Sequence, residues 1–128
     1  MHIGKNELNG TIIASLSAAA LNDGTDGGLI IALDKSTGEE KWRVEQADGI
    51  WSAPVVIYDE NGKGYILQCD RGGKLTLYSG IDGQQMCSID LGSRIESTPA
   101  VFNNTLVVGT RGVDGSGQGP KIVGIRIG

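Results

Sequence analysis

The sequence is poor in most of the residues on which catalysis or covalent cross-linking is usually built. It holds one histidine, His2, at the N-terminus, so neither a Ser/His/Asp nor a Cys/His catalytic set is expected. Its two cysteines, Cys69 and Cys87, are too few for a disulfide framework. A single bridge between them is the alternative to two free thiols, but the strands assigned below are not neighbours, and the compartment stays open on this ground. No apolar run reaches the roughly 18 residues of a membrane-spanning helix. The one long apolar stretch, residues 11–21, ends in small residues as a secretory signal does. Glu7 and two asparagines precede it, so it reads as a strand at 11–15 followed by a small-residue loop. Eleven basic residues stand against 15 acidic ones, a net charge of −4, with no Lys/Arg cluster. That balance excludes a nucleic-acid surface or an anionic-membrane surface.

Glycine is what the chain has in abundance, 21 in 128 residues, about twice the usual share. The glycines follow no every-third-residue period, which excludes collagen. With 39% apolar and 20% charged residues, the chain suits one ordinary domain and is too apolar to be disordered throughout.

An internal repeat organises it. Ser52-Ala53-Pro54-Val55-Val56 recurs as Ser97-Thr98-Pro99-Ala100-Val101, and Pro54 and Pro99 stand 45 residues apart. The turn glycines Gly38 and Gly83 are also 45 apart. A period of about 40–50 residues suits a four-stranded propeller blade. Short β-branched runs bounded by Gly and Asn/Asp then fall into place as strands. A strands follow each Ser-x-Pro, at 53–57 and 99–102, since proline is tolerated at a strand start. B strands lie at 11–15, 65–69 and 106–110, C strands at 29–34, 74–79 and 121–127, and D strands at 40–45 and 85–91. Residues 1–8 are too polar to make a clear first A strand. No helical period of useful length is present.

The run from Ala32 to Trp42 reads A-x-D-x-x-T-G-x-x-x-W, with Asp34, Thr37 and Gly38 at its defined positions. It resembles the tryptophan-docking repeat of the quinoprotein, or PQQ-like, alcohol dehydrogenases and their non-enzymatic relatives. The second repeat keeps Gly83 but has Ser79, Asp82 and Cys87 where the family has Asp, Thr and Trp. The resemblance covers roughly residues 8–128. It implies an all-β fold of consecutive four-stranded antiparallel blades, at 1–49, 50–93 and 94–128, the last without its outer strand. It also implies that Trp42 docks on the adjoining blade, beside the Pro54 strand or the Gly83 turn, with Ala32, Asp34, Thr37 and Gly38 completing the docking motif. Propeller rings take about four to eight blades. Three cannot close one, so the chain is expected to be an incomplete, C-terminal piece of a larger propeller, and the resemblance implies a periplasmic or extracellular parent protein.

Two functions follow from the resemblance. The first is a non-catalytic module for protein or ligand binding or scaffolding; the alternative is the C-terminal part of a PQQ-dependent oxidoreductase. Family dehydrogenases hold PQQ over a calcium ion and carry an adjacent cysteine pair, whereas Cys69 and Cys87 are 18 apart. No catalytic residue, metal or cofactor is therefore expected in this chain. Residues 22–28 faintly resemble a calcium loop, but its twelfth position falls on Leu33, and they read as a turn between B and C strands. The glycines of 111–120 make no phosphate loop, because no Lys-Ser/Thr and no helix follow.

The sharper feature is one rim. Arg71 and Arg111 each follow a B strand, and Asp48, Trp51 and Arg94 lie on the D-to-A connections of the same rim. Two or three arginines beside a tryptophan suit an anionic ligand or a peptide; solvated charges around a space-filling indole are the plainer reading. A carbohydrate site would need more rim aromatics than Trp51 and Tyr58 supply. Terminal blade faces built from residues such as Val55, Ile57, Leu67, Val107, Ile122 and Ile125 point to self-association, with two copies completing a ring of about six blades.

Overall fold

A computed structural model describes residues 1–112, 117 and 119–127. Three antiparallel sheets follow one another along the chain. The first runs β1 (His2–Ile3), β2 (Thr11–Ala20), β3 (Asp26–Asp34), β4 (Glu40–Gln46); the second β5 (Val55–Tyr58), β6 (Gly64–Cys69), β7 (Lys74–Ser79), β8 (Gln85–Asp90); the third β9 (Ala100–Phe102), β10 (Thr105–Thr110), β11 (Lys121–Arg126). Strand order equals chain order in each sheet, the up-and-down pattern that short turns enforce. We call the sheets blades 1, 2 and 3.

The pleat decides which blade meets which. In blade 2, Val56, Ile66 and Tyr78 stand opposite one another across three strands, and Val55, Leu67, Leu77 and Cys87 form the neighbouring row. Successive residues point to opposite faces, so the two rows serve two interfaces. The first packs with Ile13, Ile30, Ala32, Trp42 and Val44 of blade 1, capped by Ile50. The second, through Val55, Leu67 and Leu77, packs with Val101, Leu106, Val108, Val123 and Ile125 of blade 3, capped by Ile95. Ile50 and Ile95 are repeat mates, one in each D-to-A connection, and both are buried. A fully buried side chain of this size contributes about 1.5–3 kcal/mol. Of the residues expected on terminal faces, Val55, Leu67 and Ile125 lie in this second seam, while Val107 and Ile122 remain exposed on the far face of blade 3.

Two elements differ from the sequence expectation. The first B strand does not give way to a loop at Ser15: β2 continues to Ala20, pairing Ala19 with Gly27 and Ala20 with Asp26 beyond a bulge after Leu16. Small residues on both sides let the hairpin extend without needing a core. The polar N-terminus does supply a first A strand, with His2 opposite Ile13 and Ile3 opposite Ile12. Main-chain pairing and one turn of 3-10 helix, Asn6–Leu8, hold it, and Leu8 is buried against the backbone of Gly64 and Gly80. Cys69 and Cys87 are both free, one buried on β6 and one exposed on β8, with β7 between them.

Candidate functional site

The Ser-x-Pro repeat builds the rim. Ser52 Oγ donates to the carbonyl of Cys69 at 3.0 Å, and its repeat mate Ser97 donates to Gly109 at 2.9 Å. Each serine thereby ties the entry of an A strand to the end of its own B strand. One residue further along, Ala53 N–H donates to Thr98 Oγ1 at 3.0 Å, joining the two repeats directly. Arg71 N–H donates to the Gly49 carbonyl and Arg111 N–H to the Arg94 carbonyl, both at 2.8 Å. Arg71 and Arg111 therefore hold equivalent places on the rim, each pinned to the preceding D-to-A connection.

Their guanidinium groups have different partners. Arg71 lies 4.0 Å over the ring of Trp51, a cation–π stack, and forms no ion pair among the described residues. Arg111 reaches Glu96 Oε1 at 3.1 Å, and Arg94 approaches the same oxygen at 3.7 Å. Glu96 is the repeat mate of Trp51. Arg71, Arg94 and Arg111 line one cleft of about 340 Å³ between blades 2 and 3, with Gly72, Gly92, Ser93 and Gly112. Ser93 Oγ accepts from Gly112 N–H at 2.8 Å and fixes its floor. Asp48 sits against Gly72, outside the cleft lining. Burial, with Asp48 nearby, pushes the Asp70 carboxyl above its ordinary range, while the N–H of Lys74 bonds it at 3.0 Å. Three of the five rim residues singled out in the sequence thus line this cleft, Trp51 stacks on one of them, and Asp48 flanks it. Glu96 and Ser93 escaped sequence reading, although aligning Pro54 with Pro99 sets Glu96 against Trp51. Tyr58 belongs elsewhere: it closes β5 at the opposite rim, where its hydroxyl accepts from Lys5 N–H at 2.7 Å.

The docking motif occupies the seam between blades 1 and 2. Trp42 is buried; its Nε1–H donates to the carbonyl of Gly80 at 3.0 Å. Its ring covers Gly83, where a Cβ would come within 2.6 Å of Cε3 and where φ is +74°. Of the two surfaces the family pattern allows, the ring takes the Gly83 turn. Ala32 is fully buried opposite Trp42. Asp34 Oδ1 accepts from Ser36 N–H and Oγ–H and from Thr37 N–H, at 2.8, 2.7 and 3.0 Å. These bonds hold its carboxyl down to about 2. Thr37 Oγ1 accepts from Glu39 N–H, and in blade 2 Asp82 Oδ1 accepts from Gln84 N–H in the same place. The Thr-to-Asp change between repeats therefore keeps the turn's hydrogen bond.

Among the described residues no three His, Cys, Asp or Glu side chains converge to hold a metal ion, and the cysteines lie two strands apart. The Asp23 turn serves itself, its Oδ1 accepting from Thr25 N–H and Oγ–H. Residues 113–116 and 118 of the glycine-rich loop fall outside the described residues. No helix of the described residues is long and apolar enough to cross a membrane.

Sequential antiparallel blades of four, four and three strands, the first two joined face to face by a buried docking tryptophan, define a β-propeller fold of the PQQ-like class. Residues 26–121, about three quarters of the chain, match the family described as outer membrane protein assembly factor BamB, and the chain belongs to that family. No curated protein sequence matches it. Among solved structures, BamB from Moraxella catarrhalis is similar at 18% identity with a TM-score of 0.56, over 91% of this chain and 36% of that one. The computationally designed Ika4 protein is similar at 17% identity and 0.53, over 87% of this chain and 59% of that one. The chain thus spans less than two thirds of either, and at these identities the likeness shows the fold.

Proposed function

We propose that the chain is a non-catalytic propeller module that binds protein, working as a scaffold in outer-membrane protein assembly through the rim formed by Asp48, Trp51, Arg71, Arg94 and Arg111. The blades at 1–49, 50–93 and 94–128 act as its supporting frame. The observation that carries this reading is the exposed Trp51–Arg71 stack beside the arginine-lined cleft. Tryptophan and arginine are among the residue types most enriched at the energetic centres of protein interfaces. Membership of a family described as an assembly factor supports it. The rival reading is the C-terminal part of a PQQ-dependent quinoprotein oxidoreductase, which saturable binding of PQQ with calcium would favour. The test is photo-crosslinking from positions 51 and 94 against positions 60 and 86, which lie off this rim. The expected result is a discrete protein adduct from the rim alone. After reconstitution with the purified partner, binding should weaken by about tenfold or more in Trp51→Ala. Equal adducts from all four positions overturn it.

A second reading concerns self-association, favoured by the two open faces. Phe102 and Ile122 on blade 3 are 80% and 82% exposed, and Ile3 and Leu16 are exposed on blade 1. By repeat position, the open face of blade 3 corresponds to the face of blade 2 that holds blade 3. A second copy's blade 1 is its fitting occupant. Six is the one multiple of three within the range of about four to eight blades, so a head-to-tail dimer closes a ring. Light scattering should give twice the 13.4 kDa chain mass. A single-chain mass at every concentration refutes it.

A further inference from the structure

The two equivalent rim arginines differ in one respect that bears on ligand chemistry. Arg111 already has a carboxylate, Glu96 at 3.1 Å. Arg71 has an aromatic ring in the corresponding place and forms no ion pair among the described residues. Its Nε is buried and has no hydrogen-bond partner among the described residues. Three of the five arginines of a chain with net charge −4 face this one cleft. Among the described residues, Glu96 is the one carboxylate that pairs with any of the three, bonding Arg94 and Arg111, while Asp48 and Asp70 lie against Gly72.

We propose that the cleft between blades 2 and 3 is a carboxylate subsite for an acidic segment of a protein ligand, with Arg71 as its anchor and Glu96 as a built-in competitor. This rests on the protein-binding reading of the rim and adds the chemistry of what is bound. A guanidinium presents a planar fork that matches a carboxylate through two parallel N–H···O bonds. Stacking on Trp51 removes rotamer freedom before the ligand arrives, so less is lost on binding. The exposed part of the indole gives an apolar wall for the residue next to the ligand's acid. Glu96, outside the cleft lining, already sets a planar carboxylate on two of the cleft's arginines, Arg94 and Arg111. In the absence of a ligand it partly neutralises the site. A ligand carboxylate at Arg71 competes with it for Arg94 and Arg111 across the cleft.

The test is NMR titration at low ionic strength of the ¹⁵N-labelled chain, which has two indoles, with the peptide acetyl-Ala-Glu-Glu-Phe-Ala-amide and with its Gln-Gln counterpart. The acidic peptide should shift the Trp51 indole and the amides of 71–72 and 93–94, and bind about tenfold more tightly than the amide form. Arg71→Gln should abolish that preference, and Arg71→Lys, which keeps the charge but loses the fork, should restore part of it. Glu96→Gln should strengthen acidic-peptide binding, an effect that a merely structural role for the ion pair does not produce. The Trp42 indole reports whether each variant is folded. Three results overturn the proposal: equal affinity of the two peptides, weaker binding in Glu96→Gln, or no binding of either peptide. Tighter binding of inorganic phosphate than of acetate at the same resonances would also overturn it, by assigning the cleft to phosphate. Equal affinity with Trp51 still shifting sinks the carboxylate subsite but leaves the rim as a protein-binding surface. Peptide-induced shifts confined to another surface sink both.

Discussion

Removing the indole that joins blades 1 and 2 should unfold the chain under conditions the parent sequence survives. Trp42 is buried in the seam with Ile13, Ile30, Ile66 and Tyr78, and truncating a buried tryptophan to alanine costs about 3–5 kcal/mol. The lost Nε1–H bond to Gly80 also leaves a carbonyl on a buried residue without that donor. Against a typical total of about 5–15 kcal/mol, such a loss consumes a large share of the stability. With a urea slope of about 2 kcal/mol per molar, the midpoint in Trp42→Ala should fall by about 2 M. Far-UV circular dichroism is the suitable probe, since tryptophan fluorescence changes with the mutation itself. Cys87 provides an internal control, because it holds the equivalent position one repeat later and is exposed on β8. Cys87→Ala should move the midpoint by no more than about 0.5 kcal/mol equivalent. A Trp42→Ala loss below about 1 kcal/mol, or one no larger than that of Cys87→Ala, refutes the inter-blade role.

Other outcomes follow from the same geometry. Gly83→Ala should destabilise strongly, because the methyl group meets the Trp42 ring and φ is +74°; combined with Trp42→Ala its cost should shrink, so a double-mutant cycle in urea showing additivity contradicts the contact. The Asp34 carboxyl, held down to about 2 by its hydrogen bonds, supports its turn at every pH above the ordinary value of 3.8. That support is lost as pH falls through about 2, and a carboxyl NMR titration with a midpoint at the ordinary value contradicts it. Burial pushes the Cys69 thiol up to about 12, whereas Cys87 is exposed. Native alkylation should therefore modify Cys87 alone, with Cys69 following only in denaturant; equal rates would refute its burial.

Much of the architecture was legible because the repeat writes the same physical requirement twice. Ser52 and Ser97 each tie an A-strand entry to a B-strand carbonyl, and Gly38 and Gly83 each take a positive φ that other residues adopt at a cost. The β1 strand and the far half of β2 were not legible, because main-chain pairing between polar or small residues leaves no alternating apolar pattern to read. At the rim, the arginines could be found from their place after each B strand. Their partners could not, because Trp51 stacking and the Glu96 ion pair depend on how neighbouring blades face each other.

The proposed working surface is the rim around Trp51 and Arg71, and the chain's two indoles test that proposal directly. One indole lies in the seam bonded to Gly80, the other on the rim under a guanidinium. The ¹⁵N spectrum of the indoles should be recorded during addition of PQQ with calcium, and separately of the partner recovered by rim crosslinking. PQQ with calcium should move neither resonance and support no alcohol oxidation, while the protein partner should move Trp51 and leave Trp42 in place. A saturable shift with PQQ, or a partner that moves Trp42 and leaves Trp51 unchanged, would contradict a rim-bound, non-catalytic module.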